Sequence, residues 1–248
     1  MDLARIVEHL DSYLRVNEIA DSSLNGLQVE TDREITRIAV GVDASLDTFI
    51  RAHNEGAELL IVHHGLFWDK VAIKGPLYLR IRYLVEHGIG LYAAHIPLDM
   101  HPEVGNNAQL ARLVGLKNTK PFLQYKGSLI GLVGDIPRTA IVDLARMIER
   151  ALQNQARLLD YGPYQVTRVA ICSGGGGPDL DQAVNEGAHV YLTGETSHQA
   201  ATLARDAAIN VIFAGHYATE TLGPKALAKH IEEALGLPTI FIESPTGL

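Results

Sequence analysis

Apolar and polar positions follow two rhythms along this chain. Leu3, Ile6, Val7 and Leu10 recur at helical spacing between Asp2, Arg5, Glu8 and Asp11, which predicts an amphipathic surface helix at the N-terminus. Short β-rich runs follow at 35–42, 59–62, 90–94, 129–133, 166–172, 190–193 and 211–214. Helical patterns separate them at 45–56, 76–87, 106–114, 139–153, 179–187, 197–208 and 222–235. Alternation of this kind predicts an α/β fold.

The chain also matches itself. Arg37-Ile-Ala-Val40 aligns with Arg168-Val-Ala-Ile171, and Asn54-Glu-Gly-Ala57 with Asn185-Glu-Gly-Ala188, at one common interval that needs no gap. That register lays Leu59-Leu-Ile-Val62 over Val190-Tyr-Leu-Thr193, and His63-His64 over Gly194-Glu195. With a shorter loop in the second copy, Tyr92-Ala-Ala-His95 overlies Phe213-Ala-Gly-His216, and Asp99 overlies Glu220. The expectation is an internal duplication, with repeats at 1–124 and 125–248 that are pseudo-symmetric. Polar groups at equivalent carboxyl ends of strands then converge on one crevice between the halves.

Composition narrows the chemistry. With 47% hydrophobic and 20% charged residues the chain has the balance of an ordinary globular protein. Its 21 Lys and Arg face 29 Asp and Glu, a formal charge of −8 that gives little attraction for nucleic acid. The acidic and basic residues within the first helix exclude a signal peptide, and no apolar run is long enough to span a membrane, which favours the cytosol. Cys172 is the single cysteine, so internal disulfides and cysteine-based zinc sites are excluded. Any metal must therefore be held by nitrogen and oxygen.

Candidate ligands of that kind end three separate strands. His63 and His64 close an apolar run before Gly65, and one imidazole for each of two adjacent metals suits neighbours on a strand. Alone, such a doublet equally describes one core and one surface histidine. His216 and Glu220 share a face if a helix starts near Gly215, although the same spacing serves a stabilising surface pair. Pro97 fixes the chain between His95 and Asp99, where a carboxylate is also a common helix cap. Three histidines and two carboxylates suffice for two ions if one carboxylate bridges, and Zn, Fe, Mn, Ni and Co all accept such donors. Ions about 3.5–4 Å apart lower the pKa of a bound water toward ~7, which is hydrolase chemistry.

Weaker candidates surround this set. His95 is either a further ligand or a group that orients Asp99 or a substrate, and the second role is favoured. Glu195 and His198 follow a strand of the second half as acid/base or substrate contacts, with helix capping an equal alternative for Glu195. The 174–177 glycines could offer amides to an anion, but Asp179 and Asp181 oppose that and favour a turn.

Five segments carry a resemblance to a known family. They are Asn25-Gly-Leu-Gln-Val-Glu30, Ile61-Val-His-His-Gly-Leu-Phe-Trp68, His95-Ile-Pro-Leu-Asp99 continuing to Gly105-Asn-Asn107, Leu192-Thr-Gly-Glu195, and Ala214-Gly-His-Tyr-Ala-Thr-Glu220. The chain resembles the NGG-interacting factor three-like (YbgI-type) proteins, a dinuclear metal-binding family labelled GTP cyclohydrolase I type 2 homologues. The resemblance implies metal ligands at His63, His64, Asp99, His216 and Glu220, with Glu220 bridging; where some relatives carry a second histidine this chain has Tyr217, which is therefore assigned no ligand role. It further implies intertwined repeats with mixed sheets, a toroidal homohexamer, and hydrolysis of a nucleotide or related small molecule by metal-activated water, with His95 and Glu195 as proton-transfer groups. A non-catalytic metal-binding, metal-trafficking or scaffold protein is the alternative expectation.

Overall fold

The computed structural model describes residues 1–68 and 71–247; residue 248, the predicted end of the second repeat, lies outside them. From the N-terminus the elements are α1 (Leu3–Leu14), β1 (Gly26–Val29), β2 (Ile38–Asp43), α2 (Leu46–Asn54), β3 (Leu59–His64), α3 (Pro76–His87), β4 (Gly90–Ala93) and the one-turn α4 (Ile96–Asp99). There follow α5 (Asn106–Leu113), β5 (Lys117–Tyr125), β6 (Ser128–Ala140), α6 (Ile141–Leu152), β7 (Arg157–Asp160), β8 (Gln165–Cys172), α7 (Leu180–Asn185) and β9 (Val190–Thr193). The chain closes with α8 (His198–Asp206), β10 (Asn210–Phe213), α9 (His216–Glu220), α10 (Leu222–Leu235) and β11 (Thr239–Phe241). Among the described residues no helix is long and apolar enough to cross a membrane.

The fold is mixed α/β and the described residues form two compact units, one within 1–105 with 223–244, the other of 106–222 with 245–247. In the first, the sheet order is β1-β4-β3-β2-β11, in which β11, β2, β3 and β4 are parallel and β1 runs antiparallel on the β4 edge. Its central strands β2, β3 and β4 are apolar and buried up to their carboxyl ends because both faces are covered. Leu59, Ile61 and Tyr92 join α1 and α10 in one core, while Leu60, Val62, Leu91 and Ala93 pack with Phe49 and Leu84 in another. Each fully buried side chain of this size contributes roughly 1.5–3 kcal/mol.

The second unit holds a sheet of order β5-β6-β8-β9-β10-β7. Its β8, β9 and β10 are parallel, and β7 runs antiparallel on the β10 edge. Val169, Ile171, Val190, Leu192 and Ile212 pack with Leu144 and Ile148 of α6 to form its core. The first unit therefore presents the carboxyl ends of four parallel strands and the second those of three, and the predicted site residues follow such ends.

Candidate metal centre

In the first unit the histidine doublet ends β3. Side chains alternate along a regular strand, yet the rings of His63 and His64 lie only 4.6 Å apart between centroids, because His64 is the last strand residue before the Gly65 loop. Gly65 leaves no room for a side chain: a Cβ would stand 2.7 Å from Cβ of Ala93 and 2.3 Å from Nε2 of Gln28, whose Oε1 accepts the Leu66 amide at 2.7 Å. His63 is wholly buried and its Nδ1 donates to the Ala94 carbonyl at 2.9 Å. Nδ1 of His64 donates to Asp43 Oδ1 at 2.8 Å. A carbonyl and a carboxylate only accept, so in the neutral form of either ring the proton sits on Nδ1 and Nε2 keeps its lone pair.

The β4 end supplies His95 and Asp99 on either side of the α4 turn. Asp99 is buried and its Oδ2 lies 3.5 Å from Nε2 of His63. His95 is fixed from below by a polar bracket: its Nδ1 donates to Asp21 Oδ1 at 2.9 Å, and its amide donates to Asn25 Oδ1 at 2.8 Å. Burial pushes the Asp21 carboxyl up, but His95, the Asn25 amide and the Ile96 amide outweigh it and hold the group well below the ordinary range. His63, His64 and His95 each offer one ligand atom, all within 4.8 Å of one another.

In the second unit, β10 runs through Ala214 to Gly215, whose φ of 93° suits glycine and starts α9 sharply. His216 and Glu220 then share one helix face, with Nε2 of His216 2.9 Å from Glu220 Oε2. On the ring's other side Nδ1 lies 2.6 Å from Glu195 Oε1. Burial lowers the basicity of His216, yet Glu220 and Glu195 overcome it and raise its pKa to about 9, so a metal at Nε2 competes with a proton. Glu220 is 3% exposed and is cradled by Gly174, where a Cβ would come within 2.0 Å of Glu220 Oε1.

The first unit thus gathers His63, His64, His95 and Asp99, and the second gathers His216, Glu220 and Glu195. His198 is not brought in: it opens α8 exposed and makes no hydrogen bond or ion pair among the described residues. Ser197, not Glu195, caps that helix by accepting the Ala200 amide. The glycine loop is a packed turn. Its Gly174 carbonyl accepts the Gly194 and Glu195 amides at 3.0 and 2.9 Å, while Asn107 Oδ1 receives the Ser173 amide at 2.8 Å.

Sequence reasoning missed Asp21 and Asp43. Asp43 faces His64 because the two are register partners in the parallel β2–β3 pair, which no linear spacing encodes. Asp21 lies just ahead of the 25–30 motif, which offered its only signal.

The chain matches the family Duf34/NIF3 (NGG1p interacting factor 3) over residues 1–247. It is similar to the GTP cyclohydrolase 1 type 2 homolog of Pyrococcus abyssi (strain GE5 / Orsay), at 45% identity with 100% of both chains covered. Among solved structures it is similar to TTHA1606 from Thermus thermophilus, at 40% identity, a TM-score of 0.92 and 100% coverage of both chains. The protein ybgI is similar at 35% identity and the same TM-score of 0.92, again with 100% of both chains covered.

Proposed function

Because the chain belongs to the Duf34/NIF3 family, we propose that it is a dinuclear metal-dependent hydrolase of a nucleotide or related small molecule, with His63, His64, Asp99, His216 and Glu220 as ligands. One observation carries this reading. His63, His64 and His216 each engage Nδ1 with a protein oxygen, at 2.9, 2.8 and 2.6 Å, which leaves Nε2 on the far side of each ring as the coordinating atom. Metal-bound histidines are oriented by such partners on the opposite nitrogen.

The donor set fits the group. Imidazole nitrogen and carboxylate oxygen suit Zn, Fe, Mn, Ni or Co, and sulfur is absent because the single cysteine, Cys172, is elsewhere and buried. When bound, a pair of divalent ions supplies Lewis acidity that lets water attack near neutral pH. The chain's own residues do the rest. Asp43 and Glu195 hold the His64 and His216 rings, the Gly174 turn admits Glu220, and His95, fixed by Asp21, presents Nε2 for proton exchange with the substrate.

The name carried by the Pyrococcus relative makes GTP the first substrate to assay. Protein purified without added metal is analysed for bound ions, then loaded and tested with GTP and related compounds. Retained divalent metal and turnover abolished by His63→Ala are expected. Activity that survives loss of His63, His64 and Glu220 overturns the mechanism.

A second reading, metal binding or trafficking without turnover, is favoured by the engagement of Glu195 with His216 at 2.6 Å, which occupies the carboxylate most suited to act as a base. Product in a single-turnover assay excludes it. A ring-shaped homohexamer, as the resemblance implies, is supported by apolar side chains along α3: Tyr78, Leu79 and Val85 are 48%, 45% and 66% exposed. Light scattering of the full chain tests that assembly.

A further inference from the structure

The second unit carries a cleft of about 610 Å³, a volume typical of small-molecule sites. Its lining includes Glu195 and Gly215, which place one end beside His216. Arg157, Asn154, Gln155 and Thr196 line it as well, with Phe213 as apolar wall. A larger cavity, about 700 Å³, runs along α1 in the first unit and contains none of the ligand candidates.

The two charges in the smaller cleft differ in their commitments. Glu195 is engaged with His216. Arg157 makes no side-chain hydrogen bond or ion pair among the described residues, although the protein carries a formal charge of −8. Other arginines have found partners: Arg168 reaches Asp135 and Glu186, Arg51 reaches Asp47, and Arg37 reaches Glu55. Asp160, the carboxylate nearest in sequence, stands three residues on along β7, where side chains alternate between faces, and Glu149 accepts the Ala156 amide at 3.1 Å. Arg157 sits on β7, the edge strand, paired in register with Phe213 at the end of β10. Its planar fork is suited to two oxygens of a phosphate or carboxylate, and the neighbouring Gln155 amide and Thr196 hydroxyl add neutral donors.

We propose that this cleft is the substrate pocket, that Arg157 receives a terminal anionic group of the substrate, a phosphate or a carboxylate, and that the reacting end lies toward Glu195 and His216. The word substrate rests on the hydrolase reading above. The anion site itself does not, and its test is independent of turnover.

Metal-free full-length protein is titrated with pyrophosphate and, separately, with malonate by isothermal calorimetry at fixed ionic strength. Saturable binding is expected in the wild type and in His63→Ala. Arg157→Gln should weaken it by about 10–100-fold, the worth of charge-assisted hydrogen bonds, and Arg157→Lys, which keeps charge without the fork, should fall between. Tighter pyrophosphate binding assigns a phosphate and tighter malonate binding a carboxylate, and either supports the site. Absence of saturable binding to both, or equal affinity in Arg157→Gln, overturns it. Since Arg157 is exposed, an unchanged melting temperature in the variants shows that the fold is intact. Anion binding without turnover would sink the hydrolase reading alone, whereas turnover with no anion binding would sink only this one.

Discussion

Asp43 and His64 face each other across two parallel strands, as register partners, with Oδ1 of one 2.8 Å from Nδ1 of the other. The pair is settled by strand pairing rather than by loop conformation, so the imidazole is oriented before any metal arrives. Asp43→Ala should lower metal affinity by about 10–100-fold while leaving the fold intact. Competition against a chromogenic chelator measures it; an unchanged affinity would show that the strand alone orients the ring.

Gly174 should tolerate no side chain. Its φ of 60° costs an L-residue about 1–2 kcal/mol, and a new Cβ would strike Glu220 Oε1. Gly174→Ala should therefore lower the melting temperature and metal retention together. Loss of stability with full metal content would show that Glu220 yields without consequence.

Trp68 is the sole tryptophan, and its ring lies 5.8 Å from His64 and 4.8 Å from His95. Its fluorescence consequently reports on an ion held at these histidines. Co²⁺ should quench it saturably in the wild type and much less in His64→Ala. Quenching that is the same in both proteins would place the ion elsewhere.

Glu58 gives stability a pH dependence of its own. Burial raises its carboxyl, and the Thr36 and Arg37 amides at 2.9 and 3.0 Å, the Thr36 hydroxyl and Arg33 outweigh that and hold it below the ordinary value. A depressed folded value means that the contribution is fully present above the unfolded pKa of about 4.3 and disappears as pH falls through the folded one. Glu58→Gln should cost about 1–3 kcal/mol at pH 7, with the gap to wild type narrowing in acid. Urea unfolding across the acid range is the measurement, and a gap that stays constant refutes the assignment.

Much of the architecture could be read from apolar runs. The helix predicted at 76–87 is α3 and that at 222–235 is α10, while the strand predicted at 190–193 is β9. The unforeseen strands had physical reasons to hide. β5 is polar and contains Pro121, as an edge strand permits, and β1, β7 and β11 are short edge strands as well, only partly buried and without the continuous apolar run that marks β4, β9 and β10. At the candidate site, residue type at strand ends pointed to the imidazoles and carboxylates proposed as ligands. Their anchors were hidden because Ala94 acts through its carbonyl and Asp43 through cross-strand register.

The order of synthesis follows from β11. This strand pairs with β2, and α10 packs in the same core as α1, so the first unit lacks an edge strand and a wall until the ribosome has passed residue 241. Residues 106–222 emerge earlier and as one stretch. The half of the protein that is begun first is therefore finished last, and a nascent chain stalled before α10 exposes the open side of β2 to other strands.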